Sequence, residues 1–126
     1  MGRNRNEKSP FLLRTASLLR QEIANILLKD INDERIGFIS LTYVKLSTDR
    51  AHAWVYYSQI GDEKDKNKTK KGLSSATAYI HAELSKRIRY MAIPQLHFRF
   101  DESVERGVDI SQKIDIAKEN QTLKRL

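Results

Sequence analysis

The chain has no cysteine. That excludes disulfide bonds, thiol catalysis and cysteine-ligated metal centres, and it fits a reducing cytoplasm. No apolar run approaches the roughly 20 residues needed to cross a bilayer, so no membrane partner is expected. No apolar signal core follows the polar start Met1-Gly2-Arg3-Asn4-Arg5-Asn6-Glu7-Lys8. Asn6 stands where a myristoylation signal carries Ser or Thr. A cytoplasmic protein is the simplest expectation. The three histidines, His52, His81 and His97, match no metal-binding spacing and read as scattered surface residues. Asp101 and Glu102 are adjacent, as acids at a helix start often are, and Asp109 and Asp115 follow. No Gly-rich phosphate loop and no nucleophile–base pair is present. The sequence therefore predicts no enzyme, no cofactor, no metal and no small-molecule substrate.

One further absence points to a partner. No acidic residue lies between Glu83 and Asp101, while Lys86, Arg87, Arg89 and Arg99 all fall there. The whole chain carries a formal net charge of +7 over 126 residues, a balance that favours an acidic partner such as nucleic acid. Hydrophobic residues make up 40%, enough for one modest core, and the length predicts one domain. Charged residues make up 31%, so much of that charge must lie on the surface.

The pattern along the chain predicts a helix from Pro10 to about Lys29, with Leu12, Ala16, Leu19, Ile23 and Ile26/Leu27 on one stripe, Ser9 as N-cap and Pro10 at the first helical position. Two strands follow, Phe38 to Ser47 and Ala51 to Ile60, joined by Thr48-Asp49-Arg50 as an antiparallel hairpin. In the first, Ile39, Leu41 and Tyr43 share one side. In the second, Ala51, Ala53, Val55 and Tyr57 alternate with His52, Trp54, Tyr56 and Ser58. Gly61 to Lys71 reads as a solvated, charged loop, with a dedicated loop that binds an anion as the alternative. A second helix runs from Leu73 to Met91 on the stripe Leu73, Thr77, Ile80, Leu84, Ile88 and Met91, and Ile93-Pro94 ends it. Leu96, Phe98 and Phe100 alternate in a third strand. Ser103 is expected to cap a last helix through Ile116.

These blocks, in this order, resemble the ribosome-binding factor A family of bacterial small-subunit maturation factors. The likeness rests on Phe11–Leu28 with Asp33-Glu34-Arg35, on the hairpin Val44–Tyr56, and above all on Ala76–Asp101 with Arg89, Ile93-Pro94-Gln95-Leu96 and Asp101-Glu102-Ser103. It implies an α+β fold: a single type II KH-like domain with a small three-stranded sheet packed on one face by helices. The domain would span 9–116, between a flexible basic arm (1–8) and a polar tail (117–126). The resemblance implies an interrupted helix in place of the Gly-x-x-Gly loop of KH relatives. The matching positions are Ala76-Thr77-Ala78, where Ala78 departs from the family's glycine.

The resemblance also implies a function: a non-catalytic ribosome biogenesis factor that binds the immature small (30S) subunit through its 16S ribosomal RNA and assists late maturation. The factor would be a cytoplasmic monomer with an assembly GTPase as releasing partner. A protein-interaction module meeting an acidic partner is the alternative. The residues supply the mechanism: Lys86, Arg87, Arg89 and Arg99 would hold phosphates, with Arg3, Arg5 and Lys8 as an arm and Arg14, Arg20 and Lys45 in support. Tyr79 and Tyr90 either stack on bases or pack against a neighbouring helix or the C-terminal segment. Trp54 and Tyr56 either serve on the outer face of the sheet or lie beneath the last helix.

Overall fold

Ser9 starts the first helix. In the computed structural model, which describes residues 9–105, its backbone is extended and its hydroxyl accepts the Leu12 amide at 3.1 Å. Helix α1 (Pro10–Lys29) buries Leu12, Thr15, Leu19, Ile23 and Ile26 at three- and four-residue steps. Strands β1 (Ile39–Leu46) and β2 (His52–Gln59) form the expected antiparallel hairpin. Its turn is held by Asp49, which accepts the Ser47 hydroxyl at 2.6 Å and the Ala51 amide at 3.0 Å. Arg50 completes the reversal in the left-handed region, at φ 62°.

The expected grouping of Leu41 with Tyr43 on one side of β1 is corrected by a bulge. Leu41 pairs with Tyr57 and Tyr43 with Tyr56, so Thr42 is an extra residue. Leu41 therefore faces the core with Val44 and Leu46, while Tyr43 is turned to the opposite face. A strict two-residue alternation cannot anticipate this, because one inserted residue reverses every later side chain.

The charged stretch after β2 is not the expected loop. Helix α2 (Glu63–Arg87) takes up most of it. Gly61, at φ 153°, makes the entry that a side chain would strain. Asp62 accepts the Asp65 amide at 2.9 Å and Asp65 reaches back to the Asp62 amide, a reciprocal cap. Thr69 and Gly72 are buried under the 31–38 segment, where the Thr69 hydroxyl accepts the Gly37 amide at 3.1 Å. The charges that read as solvated loop are the solvated side of a helix.

The other end of α2 also differs. The helix stops at Arg87, and Ile88 is extended (φ −116°, ψ 90°) with its side chain buried, so the chain turns before Pro94 is reached. Arg89 and Tyr90 stand in that turn rather than on the helix. The helix is unbroken through Ala76-Thr77-Ala78, so the expected interruption is absent as a break. Thr77 there returns its hydroxyl to the Leu73 carbonyl at 2.8 Å.

Strand β3 (Gln95–Phe100) pairs with β2 in parallel, giving the order β1-β2-β3 with α2 as the crossover. A short α3 (Glu102–Glu105) follows. Its cap is Asp101 rather than the expected Ser103: the buried carboxylate accepts the Ser103 amide at 3.0 Å, the Ser103 hydroxyl, and the Thr42 hydroxyl at 2.8 Å. The remainder of the expected last helix, the 1–8 arm and the 117–126 tail lie outside the described residues. Leu19, Ile23 and Ile26 of α1 and Leu73, Ile80 and Leu84 of α2 meet Val44, Leu46, Ala53, Val55 and Leu96 in one core. Both helices thus cover the same face of the sheet.

Candidate nucleic-acid interface

The helical reading of the 63–71 segment changes what α2 presents to solvent. At about 100° per residue, Lys64, Lys68, Lys71, Ser75, Tyr79, Ala82 and Lys86 fall in one stripe, and every one is exposed. At the helical rise this stripe is roughly 33 Å long. It contains four lysines and no acid. Lys64, Lys68 and Lys71 were missed as site residues because their spacing carries meaning only on a helix; the Asp62–Asp65 cap was the signal for it.

Of the cations expected from sequence, Lys86 lies on this stripe and also pairs with Glu83 at 3.3 Å. Arg89 and Tyr90 follow in the exposed turn, and Tyr79 and Tyr90 are both exposed among the described residues. Arg87 is differently placed. Its guanidinium reaches Asp30 at 3.0 Å, Glu22 at 3.4 Å and Glu83 at 3.8 Å, which ties α2 to α1. Arg14 and Arg20 are exposed on α1. Arg3, Arg5 and Lys8 lie outside the described residues. Beside the middle of α2, an open groove of about 610 Å³ runs between helix and β3, lined by Ser74, Thr77, Ala78, His81, Ile93, Gln95 and Leu96. The His81 Nε2 is 3.1 Å from the Ile93 carbonyl, which accounts for that histidine structurally.

Lys45 and Arg99 belong elsewhere, because register places them on the sheet face opposite α1 and α2. That face carries Tyr43 stacked on Tyr56 (centroids 4.4 Å apart, planes 7° apart). Next to it Trp54 lies against His52 and His97 at 5.9 and 5.6 Å. Two of the histidines read as scattered are a pair here, His52 Nδ1 to His97 Nε2 at 3.0 Å, brought together by the parallel β2–β3 pairing. Burial, with His52 and Arg99 nearby, holds His97 below the ordinary imidazole range. Burial also pushes the Tyr43 hydroxyl up, reinforced by Tyr56 and Asp101. Trp54 and Tyr56 are on the face opposite α1 and α2 and half-buried, and the rest of the last helix expected above them lies beyond Glu105, outside the described residues.

Among the described residues no three His, Asp or Glu side chains gather as a metal site, and no helix is long and apolar enough to cross a membrane. The arrangement offers cations, aromatic faces and an open groove, which suits holding a polyanion.

Known proteins share the fold and much of the sequence. A solved ribosome-binding factor A from Thermus thermophilus superposes with a TM-score of 0.63 at 24% identity, covering 71% of this chain and 93% of that one. A homology model of the Thermus thermophilus ribosome-binding factor A, fitted into an electron cryo-microscopy map of that protein's 30S complex, superposes with a TM-score of 0.57 at 24% identity (68% of this chain, 90% of that one). These likenesses identify the α+β, type II KH-like fold. In sequence, the ribosome-binding factor A of Halothermothrix orenii is 41% identical over 108 residues, covering 86% of this chain and 88% of that protein. The family model described as ribosome-binding factor A matches residues 12–114. By that match and that identity, the chain belongs to the ribosome-binding factor A family.

Proposed function

We propose that this protein is a ribosome biogenesis factor that binds the immature small (30S) subunit through 16S ribosomal RNA and assists its late maturation without catalysing a reaction. The observation that carries the RNA-holding part is the acid-free stripe Lys64, Lys68, Lys71, Tyr79 and Lys86 along α2, continued by Arg89 and Tyr90 in the turn. Family membership and the 30S complex of a relative support the subunit as the partner. Phosphate contacts along one continuous helix set position and register on folded RNA, and they are blind to sequence. Tyr79 and Tyr90 would add stacking where a base is splayed out. The basic arm with Arg3, Arg5 and Lys8 would extend the contact, and Arg14 and Arg20 would flank it on α1. The factor works as a cytoplasmic monomer, released by an assembly GTPase.

Affinity for a 16S ribosomal RNA fragment, measured against salt, tests this reading. Each phosphate contact contributes a log–log slope of about −0.7 to −0.9. Charge reversal at Lys68 and Lys86 together is expected to weaken binding and to flatten the slope by about 1.4 to 1.8. Unchanged affinity in that double variant would remove α2 from the interface.

A further inference from the structure

The sheet face opposite α1 and α2 is built unlike a passive surface. Five aromatic rings sit on it in two stacked groups, Tyr43 with Tyr56, and Trp54 with His52 and His97. The two groups are adjacent in register, since Tyr56 and Trp54 are successive outward positions of β2. Exposed cations border them on both outer strands, Lys45 on β1 and Arg99 on β3. No acidic residue occupies an outward position of the three strands. Among the described residues neither α1 nor α2 covers this side, because both pack on the opposite one.

We propose that this face is a second RNA surface, a platform on which unpaired bases stack while Lys45 and Arg99 hold the flanking phosphates. The proposal rests on the RNA-binding reading above but uses different residues and a different form of RNA. The α2 stripe holds phosphates of folded RNA; the sheet takes single strands, whose bases are free to lie on ring faces. Charge selects the occupant. A nucleic acid meets the two cations and the aromatic rings together, whereas an apolar peptide brings no negative charge to Lys45 and Arg99. Two contact faces on opposite sides of one small domain would let the protein hold a helix and an adjoining single strand at once.

Trp54 is the sole tryptophan of the chain, so its emission reports this face directly. The experiment titrates the full-length protein with a fluorescein-labelled single-stranded RNA of about ten nucleotides and with the matching duplex, reading label anisotropy and Trp54 emission. The single strand is expected to quench Trp54 as it binds, and the duplex to bind without quenching. Arg99→Gln, a change at an exposed site, and Tyr56→Ala are each expected to weaken single-strand binding about ten-fold. The Lys68→Glu/Lys86→Glu variant should lose folded RNA and keep the Trp54 quench. Single-strand binding with no change in Trp54 emission would overturn the platform while leaving the α2 reading intact. Concentration-dependent self-association that shifts Trp54 emission without RNA would assign the face to a second copy and overturn it as well. Loss of folded-RNA affinity in Arg99→Gln equal to that in the α2 variant would merge the two sites and reject a separate surface.

Discussion

Arg87 and Lys86 are neighbours with the same formal charge and opposite circumstances. Lys86 points to solvent, whereas Arg87 spans two helices to reach Asp30, Glu22 and Glu83. The side chains of all four are partly exposed, so the network is screened and its worth is modest. Arg87→Met is expected to lower stability by about 1 kcal/mol in urea unfolding. That loss should shrink at high salt, while the salt slope of RNA binding stays unchanged. A change in the slope instead would place Arg87 on the RNA. His97 supports a second prediction at this scale. Its pKa in the fold is lowered, below the ordinary 6.5. The unfolded chain therefore binds more protons, and the stability that neutral His97 contributes is fully present above about pH 6.5 and is lost as pH falls through the folded value. Proton NMR should show His97 titrating below the free-imidazole range, and urea midpoints should fall between about pH 7.5 and about pH 5. His97→Gln should flatten that dependence.

Helix α2 shows how a single element redistributes function. Its first turns were illegible because lysine-rich segments dominate both loops and solvated helix faces, and composition does not separate them. The discriminating marks are local: the Asp62–Asp65 cap and the buried Thr69 and Gly72. Gly72 decides the packing of this segment. A Cβ there would meet Ile36 Cγ1 at 2.6 Å and Arg35 Cβ at 3.3 Å. Alanine in a helix interior gains about 1 kcal/mol over glycine, and overpacking costs about 1–3 kcal/mol. The clash is with a β-branched side chain close to its backbone, so the cost wins. Gly72→Ala is expected to destabilise by about 1 kcal/mol, read as a lower urea midpoint. A stabilised variant would show that the 31–38 segment yields freely. The far end of α2 was misjudged for a related reason: a proline marks where a helix must have ended, and burial of Ile88 ends it earlier.

At the scale of the molecule, one core holds both helices against one side of the sheet, and the other side carries the aromatic groups. Ile80 of α2 is fully buried in the core where both helices meet the sheet. Ile80→Ala is expected to cost about 2–5 kcal/mol. Trp54 lies on the opposite face of the sheet from Ile80, so its fluorescence and far-UV circular dichroism are independent probes of the same unfolding. The two transitions should coincide in the wild type and shift together in the variant, as one cooperative unit requires. Separate midpoints would show that the sheet survives without its helices.

The amino-acid sequence by itself determined the order of elements, the inward residues of α1, β2 and β3, the capping of α1 by Ser9 and the family resemblance. Each follows from hydrophobic period or from a short local pattern, and neighbouring residues suffice to read it. Tertiary structure alone decided which cations share a surface. It placed Lys45 and Arg99 on the sheet face opposite α1 and α2 and Lys86 on α2, and it bound Arg87 to carboxylates of α1 and α2 and to Asp30 beyond α1. It also turned Tyr43 outward through the bulge at Thr42 and joined His52 to His97 across 45 residues of chain. Contacts of that kind depend on strand register and helix packing, which are set by the fit of the whole core rather than by any stretch of it.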